Sequence, residues 1–170
     1  MDGLENGRPP ASNNLATRIL SAGVVLLALL CGCQTGPKLK PVNLSEPGWK
    51  LHRGQALWQS KRDAPEIAGE IVLALHSDGR ASIQFLKNPL PLVSAEVGPS
   101  GWHIDFIPQK RSFSGRGIPP RQFIWLHLLR GLQQIKPPED FTMWTTFEGG
   151  TRIEDKRTGE TIILFLNEQG

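Results

Sequence analysis

The sequence predicts an α+β domain: a curved antiparallel sheet with one main apolar helix packed on its concave face. Three observations lead there. Apolar and polar residues alternate at period two through most of residues 49–107. Between Pro119-Pro120 and Pro137-Pro138 the apolar spacing becomes that of a helix. Three short β-rich runs separated by glycine turns then follow. Strands first, one helix, then more strands is the order of an α+β domain.

The first strand is predicted over Trp49–Gln59. The second, Ile67–His76, is clearer: Ile67, Gly69, Ile71, Leu73 and Leu75 share one face, opposite Glu70 and His76. Asp78-Gly79 supplies the positive φ of a tight hairpin. The return strand, Ala81–Lys87, sets Ala81, Ile83 and Phe85 against Ser82 and Gln84. Pro89 and Pro91 each remove a donor, so Asn88-Pro89-Leu90-Pro91 predicts a loop or an edge. A strand resumes over Leu92–Val97. Gly98-Pro99-Ser100-Gly101 turns the chain, and Trp102–Ile107 pairs back with Trp102, Ile104 and Phe106 on one face. This makes a meander of about five strands. Ser112-Phe113-Ser114-Gly115-Arg116-Gly117 reads as a loop leading to the helix.

The helix is predicted over Arg121–Leu132, with the prolines in its first turn, where a missing N–H is no loss. Its apolar surface (Phe123, Ile124, Trp125, Leu126, Leu128, Leu129, Leu132) is too broad for an exposed helix. Phe141–Phe147, Thr151–Asp155 and Glu160–Leu166 are the last strands.

The N-terminal region carries a different message. Arg18 precedes an uncharged run, Ile19–Leu30, too short for a bilayer span of about 20 residues. A positive flank, a short apolar core and small residues before a cleavage point make a secretory signal. Leu30-Cys31-Gly32-Cys33 resembles a bacterial lipobox, with Cys33 as the lipidated residue. The expected division is a lipoprotein-type signal peptide over 1–32, a flexible proline-containing tether over 33–48 and the domain over 49–170. An ordinary signal peptide, or an uncleaved anchor with incidental cysteines, is the plainer alternative. Only Cys33 would survive cleavage, leaving no disulfide and no cysteine-based metal site.

The net charge is +3, with acids and bases interspersed. The densest basic cluster is Lys110-Arg111 with Arg116 and Arg121. It reads as a solvated surface, or as a contact with anionic lipid headgroups beside the anchor. Nucleic acid is a poor partner for an exported lipoprotein. No nucleophile elbow, zinc-protease motif or phosphate loop is present. The four histidines, His52, His76, His103 and His127, are scattered singly. Neither a catalytic residue, nor a metal, nor a cofactor is expected. Apolar residues stand out instead. Leu90 and Leu92 alternate with prolines, where no core residue is required. Trp102, Phe106, Phe123 and Trp125 either complete a core or line a pocket for acyl chains.

Several stretches resemble the outer-membrane lipoprotein receptor of the Lol sorting pathway, the LolB family. They are Trp49–Trp58, Gly79-Arg80 through Phe85, Asn88-Pro89-Leu90, the strand Trp102–Phe106, the Leu-rich helix, Ile135-Lys136-Pro137-Pro138 and Trp144. The resemblance spans roughly Trp49–Leu166. It implies an incomplete β-barrel closed by helices, with a cavity for the acyl chains of lipoproteins in transit. It also implies that Leu90 is the protruding leucine that delivers cargo to the membrane, with Leu92 beside it. The helix that family places before its first strand is not evident here, since Pro37, Pro41 and Pro47 break the segment. The expected function is a lipid-anchored envelope lipoprotein, on the outer membrane and facing the periplasm. It would bind acyl chains or lipoprotein cargo received from a periplasmic carrier, without being an enzyme. The alternative is a non-catalytic interaction or structural lipoprotein of an envelope complex, with a filled core. An envelope enzyme is the third possibility.

Overall fold

The structure, a computed structural model, describes residue 39 and residues 42–167. The predicted signal peptide and Cys33 lie outside the described residues. The elements are β1 (Trp49–Gln59), β2 (Ile67–His76), β3 (Ala81–Lys87), β4 (Leu90–Gly98), β5 (Gly101–Phe106), β6 (Arg111–Gly115), α1 (Ile124–Leu132), β7 (Phe141–Thr145), β8 (Thr151–Asp155) and β9 (Thr161–Leu166). The strands form one antiparallel sheet in the order β6-β5-β4-β3-β2-β1-β9-β8-β7, open at both edges.

The period-two segments became strands where predicted. Buried Ile71 and Leu73 on β2 face the same side as Ile83 and Phe85 on β3, their register partners. Gly79 turns the chain at φ +89°, the left-handed backbone that glycine adopts freely.

Three expectations need correction. The Asn88–Pro91 stretch interrupts the ladder only at its turn. β4 starts at Leu90, opposite Lys87, and Pro91 stands opposite Leu86. A bulge at Phe85/Leu86 takes up Leu92, and the β4–β5 ladder begins only at Val93, beyond the proline. Next, Arg111–Gly115 is a strand, not a loop. It pairs on one side only, with β5, so half-buried Phe113 is its one apolar anchor between exposed Ser112 and Ser114. Last, the helix is shorter than predicted. Arg121 and Gln122 form a turn in which the Phe123 N–H donates to Pro120 O at 3.1 Å. Phe123 is the N-cap, with φ −110° and ψ 75°, and the prolines precede the helix instead of opening it.

The sheet curls around α1. Phe123 packs on Trp102 of β5 (ring centroids 5.5 Å), and His127 packs on Phe141 of β7 (4.6 Å). Those strands are seven positions apart, which in a flat sheet would separate them by about 34 Å at about 4.8 Å per spacing. A helix about 10 Å across could not touch both unless the sheet bent round it. This explains a helix whose residues Ile124–Leu129 are all buried.

Candidate functional site

Strands β1, β3 and β5 run toward one end of the sheet, and β2, β4 and β6 run away from it. Two turns meet at that end. Asn88-Pro89 joins β3 to β4 through a cis peptide bond. The turn from Ile107 to Lys110 joins β5 to β6, closed by the Lys110 N–H donating to Ile107 O at 3.1 Å. The Ile107 N–H donates to Leu92 O at 3.0 Å and ties the two turns together.

Leu90 stands out from this end, 65% exposed, with Pro89 and Pro91 exposed on either side. Leu92 is half-buried against the core. The two residues expected to act together are therefore divided: Leu90 faces water and Leu92 holds its turn to the body. Ile107 adds a second exposed aliphatic at 40%. Sequence reasoning had placed Ile107 within a strand. The signal was its phase, since it follows Trp102, Ile104 and Phe106 on the opposite beat. Leaving a leucine in water forgoes about 1.5–3 kcal/mol that full burial would provide.

The opposite end of β3 is closed by polar contacts. The Arg80 guanidinium donates to Asp78 at 2.8 Å and to Glu46 at 3.0 Å, and lies over the Trp49 ring. The Arg80 backbone N–H also donates to Asp78, at 3.0 Å. Partial desolvation pushes the Asp78 carboxyl up. The Arg80 N–H, His76 and the Arg80 side chain outweigh this and hold it at about 2. Glu46 thus fixes the end of the predicted tether, and Leu39 and Val42 line a groove of about 230 Å³ beside Arg80.

The four residues offered as cavity lining fall into two packed aromatic groups of the interior. Trp125 packs on Phe85 at 5.2 Å and on Trp58 at 5.7 Å. Phe123 packs on Trp102, Phe106 and Phe113. Trp102, Phe123 and Trp125 are buried and Phe106 is half-buried. The indole N–H groups of Trp102 and Trp125 and the Nδ1 of His127 are buried, with no hydrogen-bond partner among the described residues. Two open clefts flank the C-terminal end of α1. One, about 420 Å³, includes Leu75, His76 and Leu132, and the other, about 360 Å³, includes Ile135, Met143 and Trp144.

The titratable groups are dispersed. His103 pairs with Asp105 at 2.9 Å and His76 with Asp78 at 2.7 Å. His127 is shifted down chiefly by burial, and its Nε2 contacts Pro120 O at 3.2 Å. Burial raises the Glu160 carboxyl to about 7, although the Trp58 indole donates to it at 2.9 Å. Among the described residues no group of three or more His, Cys, Asp or Glu could hold a metal ion. No described helix is long and apolar enough to cross a membrane. Phe147, expected within the strand Phe141–Phe147 and among the core or pocket aromatics, lies fully exposed beyond the end of β7, and Trp144 is half-exposed with Arg152 over its ring. The chain matches no protein-family model and no curated protein.

Proposed function

We propose that this protein is a lipid-anchored envelope lipoprotein of the LolB kind. In this reading the wrapped sheet is an incomplete barrel and Cys33 carries the acyl anchor. The domain handles acyl chains or lipoprotein cargo at a membrane without covalent chemistry. The observation that carries the reading is Leu90, held out in water on a proline-flanked turn that the rest of the domain does not cover. An acyl chain would enter along the seam between α1 and the sheet, from the clefts at the helix C-terminus.

The packing of Trp125 against Phe85 and Trp58 favours a second reading, an interaction module with a filled core. A fluorescent fatty acid added to the chain separates the two. Saturable binding that a lipopeptide displaces, and that Trp125→Phe alters, supports cargo handling. No binding, with Leu90-dependent membrane association retained, supports the module. Loss of both would overturn the proposal. Incorporation of labelled fatty acid in cells should disappear in Cys33→Ser, and unchanged labelling would remove the anchor.

A further inference from the structure

We propose that the β5–β6 turn is a second membrane contact, one that binds the headgroups of anionic lipids. This rests on the reading of Leu90 as membrane-facing and adds the lipid class. The four turn residues, Ile107, Pro108, Gln109 and Lys110, are all exposed, as is Arg111 at the start of β6. Pro108 occupies the second turn position, where its fixed φ is preferred, and Lys110 takes φ +51°. The Ile107–Leu92 hydrogen bond makes this turn and the Leu90 turn one surface. Lys87, also exposed, stands opposite Leu90 on the other turn.

The chemistry of that surface is one-sided. Leu90 and Ile107 are aliphatic, and Lys87, Lys110 and Arg111 are cationic. No acidic residue occurs in 87–92 or 107–111. None of the three cations forms an ion pair among the described residues. The neighbouring acids are placed otherwise: Asp105 pairs with His103, and Glu70 lines with Lys87 and Asn88 a groove toward β1 and β2, away from the β5–β6 turn. Exposed aliphatics ringed by unpaired cations complement the interface of an anionic bilayer, where tails accept the first and headgroups the second. Each cation near such a surface contributes about fivefold to the binding equilibrium, from about 1 kcal/mol. The basic cluster seen in the sequence is thereby divided. Lys110 and Arg111 belong to this end, whereas Arg116 follows the other end of β6 and Arg121 pairs with Asp140.

The test uses the full chain reconstituted in vesicles, with an environment-sensitive fluorescent amino acid at Gln109 or, separately, at Leu90. Vesicles are phosphatidylcholine alone or phosphatidylcholine with phosphatidylglycerol. The Gln109 reporter should enter an apolar environment only with phosphatidylglycerol. It should return to water as salt shortens the screening length from about 10 to about 3 Å. Lys110→Gln with Arg111→Gln should lower the docked-to-free ratio about 30-fold. A Gln109 signal equal on both lipids, or indifferent to the double substitution, overturns the headgroup contact. If the Leu90 reporter still enters the bilayer, the reading of Leu90 stands without it. If both reporters remain in water on both lipids, both ideas fall.

Discussion

At one end of β3 the Asp78-Gly79 turn spends its side chains on the domain itself. Asp78 holds Arg80, Arg80 holds Glu46, and Gln133 beyond α1 donates to Gly79 O at 2.8 Å. At the other end the Asn88-Pro89 turn leaves Leu90 and Lys87 exposed, and it is held by its strand pairing, by half-buried Leu92 and by the backbone bond from Ile107. Both turns are short and both join neighbouring antiparallel strands. What differs is where their side chains find partners. A turn that serves the fold satisfies its groups internally. A turn whose apolar and charged groups stay unmatched is available to something outside the chain, and its substitution should be felt there instead of in stability.

The helix between these ends sets the scale for what internal partners are worth. Trp125→Ala would leave a cavity beside Phe85 and Trp58 and should cost about 3–5 kcal/mol in denaturant titration. A cost near zero would mean that the seam closes over the gap, and the contrast between filled interior and bare turn would weaken.

A pH titration sharpens the contrast further, because closed turns can be favourable or strained. Glu160 closes the β8–β9 turn with its carboxyl raised to about 7 from an ordinary 4.5. The folded state therefore holds that proton more tightly than the unfolded state. Its contribution is fully present below about pH 4.5 and is lost as pH rises through about 7. Asp78 has the opposite sign. Its carboxyl is depressed from 3.8 to about 2, so its contribution is present above about pH 4 and is lost as pH falls toward 2. Glu160→Gln should remove the loss of stability that Glu160 contributes as pH rises from about 4.5 to about 7, while leaving the acid-side contribution of Asp78 unchanged.

A smaller effect isolates backbone from side chain. A Cβ added at Gly79 would meet nothing within 4 Å, so only the φ of +89° resists it. Gly79→Ala should cost about 1 kcal/mol, the strain of a left-handed backbone in an L-residue. A larger loss would show that the closed turn depends on more than its conformation.

Much of this was legible in the residues. Ile71, Leu73, Ile83 and Phe85 alternate because their strands have neighbours on both sides and bury one face completely. β6 was missed because an edge strand needs only one apolar contact, and Phe113 between serines looks like a loop. The helix start moved because Pro120 O captures the Phe123 N–H in a turn before the helix begins. The aromatic residues could not be resolved by pattern. The same tryptophans and phenylalanines fill a core or line a pocket, and only their mutual contacts show how they sit. Leu90 was marked by its prolines, but Lys110 and Arg111 lie on another hairpin, and it is the β4–β5 pairing, extended by the Ile107–Leu92 bond, that brings them beside it.

The central claim is that the Leu90 turn faces outward for a purpose, and Leu90→Glu tests it most directly. Stability and membrane association are measured on the same preparation, by denaturant titration and by docking of the reporter at Gln109. At an exposed position the substitution should change stability by less than about 0.5 kcal/mol. Docking should fall sharply, because a carboxylate enters neither hydrocarbon nor an anionic headgroup layer. Unchanged docking, or a severe loss of stability from a carboxylate forced into the core, would contradict the account.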